Sequence, residues 1–394
     1  MTRIAQRIAG FGVTIFSDIN RLANEYEAVN LGQGKPDFDG PPDALLAAKE
    51  ALDLQVRNQY APGTGIFSLR RAIAEHEAEY YGLSIDPENQ VVVTVGATEG
   101  IFAAIMGLVN PGDEVIVFEP FYDSYVPNIV MTGATPRYCP LHPPEWAFDA
   151  DELRALFNQK TRAIIINTPH NPTGKVFSGE ELSLIAELCQ EYDVLAITDE
   201  VYEHLVFDGD EHINLMTLPG MAERTVKIGS LGKTFNLTGW KIGWAVGPVD
   251  LVAGVQGARQ YTSFAVAHPL QVGAAAALQL PASYFRELVD FYTPKRDFLV
   301  KSLEKAGLKP QNPRGGYFVM ADFSAVFEGD DVAFAHWLVE EIGVACIPPT
   351  FFYSQPNKHI VAQQARFAFC KNNEVLEAAA ERLANFKAKV RLSQ

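Results

Sequence analysis

Gly229-Ser230-Leu231-Gly232-Lys233-Thr234 runs on through Phe235-Asn236-Leu237-Thr238-Gly239-Trp240-Lys241, directly after the short run Val226 to Ile228. A surface lysine needs no such setting, because its charge can stay in water. Glycine and serine beside Lys233 leave room for a bulky group to approach its amine. Two chemistries compete: a phosphate-binding loop, or an amine that forms a Schiff base with a carbonyl. Counting separates them. A P-loop requires Gly, four residues, then Gly-Lys-Ser/Thr. Gly232-Lys233-Thr234 fits the end of that pattern, but the first glycine would fall on Lys227. The loop is too short, which leaves an ordinary lysine in a βα turn or carbonyl chemistry, and the rest of the chain decides between them.

Working outward, the chain has 394 residues, 48% of them hydrophobic, enough for a large core and two domains. The 32 Lys and Arg against 48 Asp and Glu give a net charge of -16. That balance disfavours nucleic acid and anionic membranes as partners. It also requires any anionic cofactor to be held by a local pocket. Cys139, Cys189, Cys346 and Cys370 are scattered, without metal-type spacing, and read as core thiols. Neither a secretory signal nor a membrane span is expected, which predicts a soluble cytoplasmic protein.

Strand-like and helix-like stretches alternate through the middle of the chain, the pattern of an α/β domain. Strands are expected at 91–95, 114–118, 162–167, 194–198 and 240–246, with a helix over 98–109. Ser178-Gly179-Glu180-Glu181 has capping-box spacing and opens a helix to about residue 192. The C-terminal third changes character. Helices are expected over 282–306, 331–342 and 374–389, around strands at 316–323 and 365–369. The Gly- and Pro-rich arm up to Pro42 is expected to drape over another surface.

Three further segments carry chemistry. Ile164-Ile165-Ile166-Asn167 leads into Thr168-Pro169-His170-Asn171-Pro172-Thr173-Gly174, a stiff turn at a strand's carboxyl end, where ligands of open α/β sheets bind. Val194 to Thr198 ends in Asp199-Glu200-Val201-Tyr202; a carboxylate there needs a cation. A metal is disfavoured because no histidine-rich motif accompanies it, and a protonated ring nitrogen would satisfy Asp199 instead. Gly96-Ala97-Thr98-Glu99-Gly100 places small residues at a helix start, where backbone amides can meet a phosphate.

Together, Lys233 with its flanks, Asn171-Pro-Thr-Gly and Asp199-Glu-Val-Tyr202 make the chain resemble the fold-type I pyridoxal-phosphate aminotransferases over nearly its whole length. Leu31-Gly-Gln-Gly34, Asn58-Gln-Tyr60, Glu119-Pro-Phe-Tyr122-Asp-Ser-Tyr125 and Arg366-Phe-Ala-Phe369 are similar to the branch of kynurenine, glutamine-phenylpyruvate and bacterial methionine aminotransferases. The resemblance implies a large domain at 43–285 built on a mixed, mostly parallel seven-stranded sheet between helices. A small α+β domain would comprise 1–42 and 286–394. Lys233 would form the Schiff base with pyridoxal 5'-phosphate and shuttle the proton. Asp199 would pair with the ring nitrogen, Asn171 and Tyr202 would bond the ring hydroxyl, and Tyr122 would stack on the ring. Gly96, Ala97, Thr98, Ser230 and Lys241 would hold the phosphate, with Tyr60 reaching in from a second subunit of a homodimer. Lys241 stands where many relatives have arginine. Arg366 would clamp the substrate carboxylate, and Gly34 would let the arm pass close to the substrate.

The implied reaction is ping-pong transamination between an L-amino acid and a 2-oxo acid. Thr98 and Val266-Ala267 depart from the aromatic cage of the eukaryotic kynurenine enzymes and are more similar to the methionine-preferring relatives. Ile15, Phe16, Tyr122 and Phe264 would form an apolar pocket for methionine, aromatic or glutamine side chains. No second arginine for a dicarboxylate is evident, so aspartate is disfavoured. Rivals are a succinyl-diaminopimelate aminotransferase, which needs a basic distal pocket, and a cysteine-conjugate C–S β-lyase. A non-enzymatic regulator would need a DNA-binding segment, for which the first 31 residues are too short.

Overall fold

The apolar runs of the middle of the chain become one sheet in the computed structural model, which describes residues 4–12 and 14–386. Its strands are β1 (Val91–Val95), β2 (Glu114–Glu119), β3 (Thr135–Pro140), β4 (Thr161–Asn167), β5 (Leu195–Asp199), β6 (Thr225–Ser230) and β7 (Ile242–Val246). Across the sheet they lie in the order β1-β7-β6-β5-β4-β2-β3. Only β7 runs antiparallel to its neighbours, so the sheet is mixed and mostly parallel, as expected. Near-continuous Val and Ile runs suit strands covered on both faces, and Ile164, Ile197 and Ile228 are fully buried. Truncating one of them to alanine would cost about 2–5 kcal/mol. The unexpected strand is β3: Pro136 and Pro140 mask it in the sequence, and as an edge strand it tolerates them.

The helices that matter for the site are α1 (Ile15–Glu25), α2 (Phe67–Tyr81), α3 (Gly96–Leu108), α4 (Gly179–Glu191), α5 (Leu231–Thr234), α6 (Ala282–Ala306), α7 (Asp331–Trp337) and α8 (Asn373–Ala384). The capping box forms at α4: Ser178 Oγ accepts from the Glu181 amide at 3.2 Å, and the Glu181 carboxylate accepts from the Ser178 amide at 2.9 Å. Strand β7 starts later than expected, because Thr238–Trp240 makes a 3-10 turn and Lys241 adopts φ +53°. The expected helix over 331–342 is α-helical only to Trp337 and widens to a π-turn over Leu338–Ile342. The final helix ends at Ala384; residues 387–389 of its expected span lie outside the described residues.

In the C-terminal third, β8 (Phe318–Asp322) pairs antiparallel with β9 (Gln364–Ala368) and with Lys309–Pro310. The N-terminal arm drapes over this unit. Val29–Asn30 runs parallel to Val344–Ala345, and the Ala368 amide donates to Leu31 O at 2.6 Å. One apolar core joins α1, residues 201–207 and the C-terminal strands and helices; separate cores flank the seven-stranded sheet. We propose the two-part division on this basis. Its boundary at 285/286 falls inside α6, a continuous helix that the two parts share.

Candidate active site

Strands β4, β5 and β6 end side by side at Asn167, Asp199 and Ser230, facing the start of α3, which follows β1. A cavity opens there. Gly96, Ala97, Thr98, Tyr122, Asn171, Asp199, Tyr202, Ser230, Lys233 and Lys241 all line it. Residues up to 145 positions apart are thus brought together by the carboxyl-edge rule for parallel strands (Gly96 to Lys241).

Asp199, 5% exposed, takes the 2.6 Å hydrogen bond of the Tyr125 hydroxyl on Oδ2. Asn167 Nδ2 donates to the Asp199 carbonyl at 2.8 Å, while Asn167 Oδ1 accepts from the Asn171 amide at 2.7 Å. One asparagine therefore locks the strand end to the Pro-rich turn. Burial raises the Asp199 carboxyl to about 6, opposed by Tyr125, the Val201 amide and Lys233.

Lys233 lies in the short α5, whose N-cap Ser230 accepts from the Gly232 amide at 3.1 Å. Its Nζ lies 3.4 Å from Gly34 O and 5.4 and 5.8 Å from the rings of Tyr317 and Tyr202. Burial lowers its ammonium to about 8, so a sizeable fraction is neutral amine near neutral pH. The Tyr317 hydroxyl fixes Gly34 from the other side, donating to its carbonyl at 2.7 Å. A Cβ on Gly34 would stand 2.5 Å from Phe318 Cζ, which explains the glycine.

At the opposite end, α3 starts without a side-chain cap, Gly96 adopts φ +69°, and Gly96, Ala97 and Thr98 line the cavity together with Ser230 and Lys241. Gly243 lets β7 press against this turn, since a Cβ there would meet Gly96 C at 2.5 Å. Amide donors, a helix dipole, a hydroxyl and an ammonium converge, which suits a phosphate.

Arg366 is 2% exposed in β9. It donates from Nη1 to Asn171 Oδ1 at 3.1 Å and from Nη2 to Gly32 O at 2.8 Å, and its Nε has no partner among the described residues. The Phe318, Phe16 and Phe352 rings lie 4.2, 5.3 and 5.5 Å from its Cζ. Burial lowers the guanidinium to about 10, leaving it charged.

Not every expected residue is here. Ile15 packs in the core of the C-terminal unit and does not line the cavity, because α1 turns it inward. Phe16 packs against Phe352 and the Arg366 guanidinium and does not line the cavity. Phe264 lies at the surface against Tyr60, rings 5.4 Å apart, and Tyr60 is 84% exposed and outside this chain's cavity. Tyr125, Asn167, Tyr317 and Thr238 belong to the site or its support and had no expected role. Tyr125 stood within a quoted motif, but nothing local marks a tyrosine as the partner of a carboxylate 74 positions away.

A lysine of lowered pKa, a buried carboxylate and an uncapped helix start in one cavity, with a buried arginine bonded to Asn171 in its wall, suit a pyridoxal-phosphate enzyme of the transaminase class. The chain belongs to the aminotransferase class I and II family, whose model matches residues 26–383. It is 41% identical over 378 residues to the methionine aminotransferase of Escherichia coli, covering 96% of this chain and 97% of that one. It is 39% identical over 418 residues to human kynurenine–oxoglutarate transaminase 1, covering 98% and 99%. The solved N-succinyldiaminopimelate aminotransferase of Mycobacterium tuberculosis superposes with a TM-score of 0.94 at 45% identity, covering 97% of this chain and all of that one. The protein is therefore a pyridoxal-phosphate-dependent aminotransferase acting on an amino acid and a 2-oxo acid. The residues present fit that cofactor: an uncapped helix start beside Ser230 and Lys241 for its phosphate, Asp199 for its ring, Lys233 for its aldehyde. No helix among the described residues is long and apolar enough to cross a membrane.

Proposed function

We propose ping-pong transamination from L-amino acids with apolar, sulfur-containing, aromatic or glutamine side chains, in a homodimer with shared sites. The carrying observation is the buried, unpartnered Nε of Arg366, whose Nη1 bonds Asn171 in the wall of the cavity that Lys233 and Asp199 also line. Pyridoxal phosphate, when bound, supplies a reactive aldehyde and an electron-accepting ring. Asp199 would hold the ring's cationic nitrogen, with Tyr125 fixing the carboxylate. Asn171 and Tyr202 would orient the ring's hydroxyl, and Tyr122 would cover its face. Ala97 and Thr98 amides, Ser230 and Lys241 would anchor the phosphate. Lys233 Nζ takes the proton from the donor's Cα and returns it one step along, which a pKa near neutrality favours. Arg366 offers a planar fork to the α-carboxylate. Replacing it with lysine keeps the charge but loses the fork, and should lower kcat/KM by about 10²–10³-fold, mostly through KM.

The donor preference is supported by Phe16, Phe318 and Phe352 around Arg366 and by the absence of a second arginine among the cavity-lining residues. With a fixed oxo acid, methionine, glutamine or phenylalanine should exceed aspartate in kcat/KM by at least about 10-fold, the scale of one lost charge contact. Equal or better use of aspartate would refute this donor class. Pyruvate and ammonia released from cysteine conjugates without an acceptor would indicate β-lyase activity. A specific observation also favours a longer donor with an acidic tip, as succinyl-diaminopimelate has. Arg57, bonded to His268 Nε2 at 3.0 Å, places a cation in the groove beside Tyr60. Higher kcat/KM for that donor than for methionine selects this second reading.

Homodimerisation is supported by the exposed aromatic patch of Tyr60, Tyr261 (90% exposed) and Phe264. If Tyr60 bonds the phosphate held by the neighbouring subunit, Tyr60→Phe weakens cofactor binding by about 10-fold without dissociating the dimer. Sedimentation at micromolar protein and cofactor titration check both parts; a monomer with full activity contradicts the proposal.

A further inference from the structure

On the face of β5 away from the cavity, sealed from solvent, lies a second set of charged groups that the reaction does not touch. Lys227 of β6 is fully buried, and its Nζ donates to Glu77 Oε1 at 2.6 Å and Glu203 Oε2 at 2.7 Å. Glu200 Oε2 is 3.9 Å away, and the Tyr81 ring lies 4.4 Å from the ammonium. Each carboxylate has other partners. Tyr81 donates to Glu203 at 2.5 Å, Asn214 donates to Glu77 at 3.2 Å, and Glu200 is bonded by Thr198 Oγ1 and His212 Nε2, both at 2.7 Å. His76 and His204 pair through their Nε2 atoms at 2.7 Å beside Glu203.

Two subsets, His76–Glu203–His204 and Glu200–Glu203–His212, are close enough to suggest a metal ion. The geometry argues against one. Two imidazoles on a tetrahedral ion hold their nitrogens about 3.3 Å apart, given metal–nitrogen bonds of about 2.0–2.1 Å. At 2.7 Å, His76 and His204 are hydrogen-bonded instead. The cation place between the carboxylates is already taken by Lys227. Burial lowers His76 and His204 to about 4 and about 3, so both stay neutral. Burial raises Glu77; for Glu203 the same penalty is overcome by Lys227, which holds it ionised.

What this network ties together is the site's own backbone. Side chains alternate along a strand, so Thr198 and Glu200 point away from the face that Asp199 shows the cavity. Glu200, Glu203 and His204 alternate with Asp199 and Tyr202 in one six-residue segment. Lys227 lies three residues before Ser230 and six before Lys233 on the adjoining strand. Glu77 and His76 come from α2. We infer that Lys227, clamped by Glu77, Glu200 and Glu203, is a positioning residue that fixes the Asp199–Tyr202 segment against the strand that ends at Ser230 and leads into Lys233. A buried ion pair gives little stability compared with apolar packing, but it admits only one arrangement of its partners.

This rests on the cofactor roles proposed for Asp199 and Tyr202. The test uses full-length, cofactor-loaded protein in four forms: wild type, Lys227→Met, the double variant Glu203→Gln/Lys227→Met, and Tyr81→Phe. The readouts are melting temperature, dissociation constant for pyridoxal phosphate, pH midpoint of its visible band, kcat and KM. Lys227→Met leaves buried carboxylates unpaired and should melt earlier or fail to fold. The double variant removes the ammonium together with one of its carboxylates and should recover part of the melting temperature. It should still bind cofactor at least about 10-fold more weakly, shift the pH midpoint and lose about 10–100-fold in kcat at nearly unchanged KM, as displaced supporting groups do. Tyr81→Phe, which deletes one hydroxyl, should shift affinity and midpoint in the same direction by a few-fold. Wild-type affinity, midpoint and kcat in the double variant and in Tyr81→Phe would reduce the network to packing and overturn the inference. A wild-type protein that never acquires a visible band would instead overturn the underlying reading, whatever the variants do.

Discussion

Lys233→Ala should lower kcat by about 10⁴-fold or more while leaving a folded protein that still takes up pyridoxal phosphate. The loss is large because one amine serves two roles, nucleophile and proton carrier, and each is worth about 10²–10⁴-fold. No other amine replaces it. Lys241 also lines the cavity, but at the phosphate end, beside Gly96, where a Cβ would stand 3.1 Å from its Nζ. Folding should survive, because an ammonium lowered to about 8 by burial is disfavoured in the folded state at neutral pH. Its removal therefore relieves a cost. Uptake should survive because Asp199, Ser230, Lys241 and the α3 amides remain. Single-turnover assays with methionine, together with a melt of the cofactor-free variant, check each part. Residual activity within 100-fold of wild type would move the chemistry to another group.

Asp199→Asn should separate stability from activity in opposite directions. Asparagine keeps the shape and can still accept the Tyr125 hydroxyl. It cannot supply the charge for a cationic ring nitrogen, and loss of a buried ion-pair partner costs about 3–5 kcal/mol, or about 10²–10⁴-fold in rate. The cofactor-free fold should gain. The carboxyl rises from 3.8 to about 6 on folding, so its contribution to stability is fully present below about pH 4 and lost as pH rises through about 6. The shift corresponds to about 3 kcal/mol at pH 7.5. Urea melts of the cofactor-free proteins should therefore show Asp199→Asn gaining on wild type between pH 4.5 and 7.5. Parallel pH curves would mean that Asp199 is not strained in the empty site.

The fold and most of the site were legible because the rule behind them is local. Each of Asn167, Asp199 and Ser230 ends a short apolar run, and runs of that kind become parallel strands whose carboxyl ends meet. Asn171 and Lys233 follow within four residues of such an end. What was not legible depends on contacts across the sequence. Tyr125 and Tyr317 act through hydroxyls whose acceptors, Asp199 and Gly34, are 74 and 283 positions away. Lys227 reads as one interruption in an apolar strand, and its meaning comes only from Glu77, 150 positions earlier. Ile15 was misplaced because an apolar residue on an amphipathic helix belongs equally well to a core and to a substrate wall, and α1 faces the core. Arg366 lies in a strand like any other; its apolar neighbours and the family resemblance pointed to it, and the partnerless Nε gives that assignment physical content.

The account's central claim is that Lys233 holds the cofactor covalently. Borohydride reduction of the cofactor-loaded protein, followed by proteolysis and mass spectrometry, tests it most directly. The prediction is a single modified peptide with the reduced pyridoxyl group on Lys233, absent from Lys233→Ala and lost when excess methionine is added before reduction. Modification of another lysine in its place, or a loaded protein that reduction leaves unlabelled, would contradict the account.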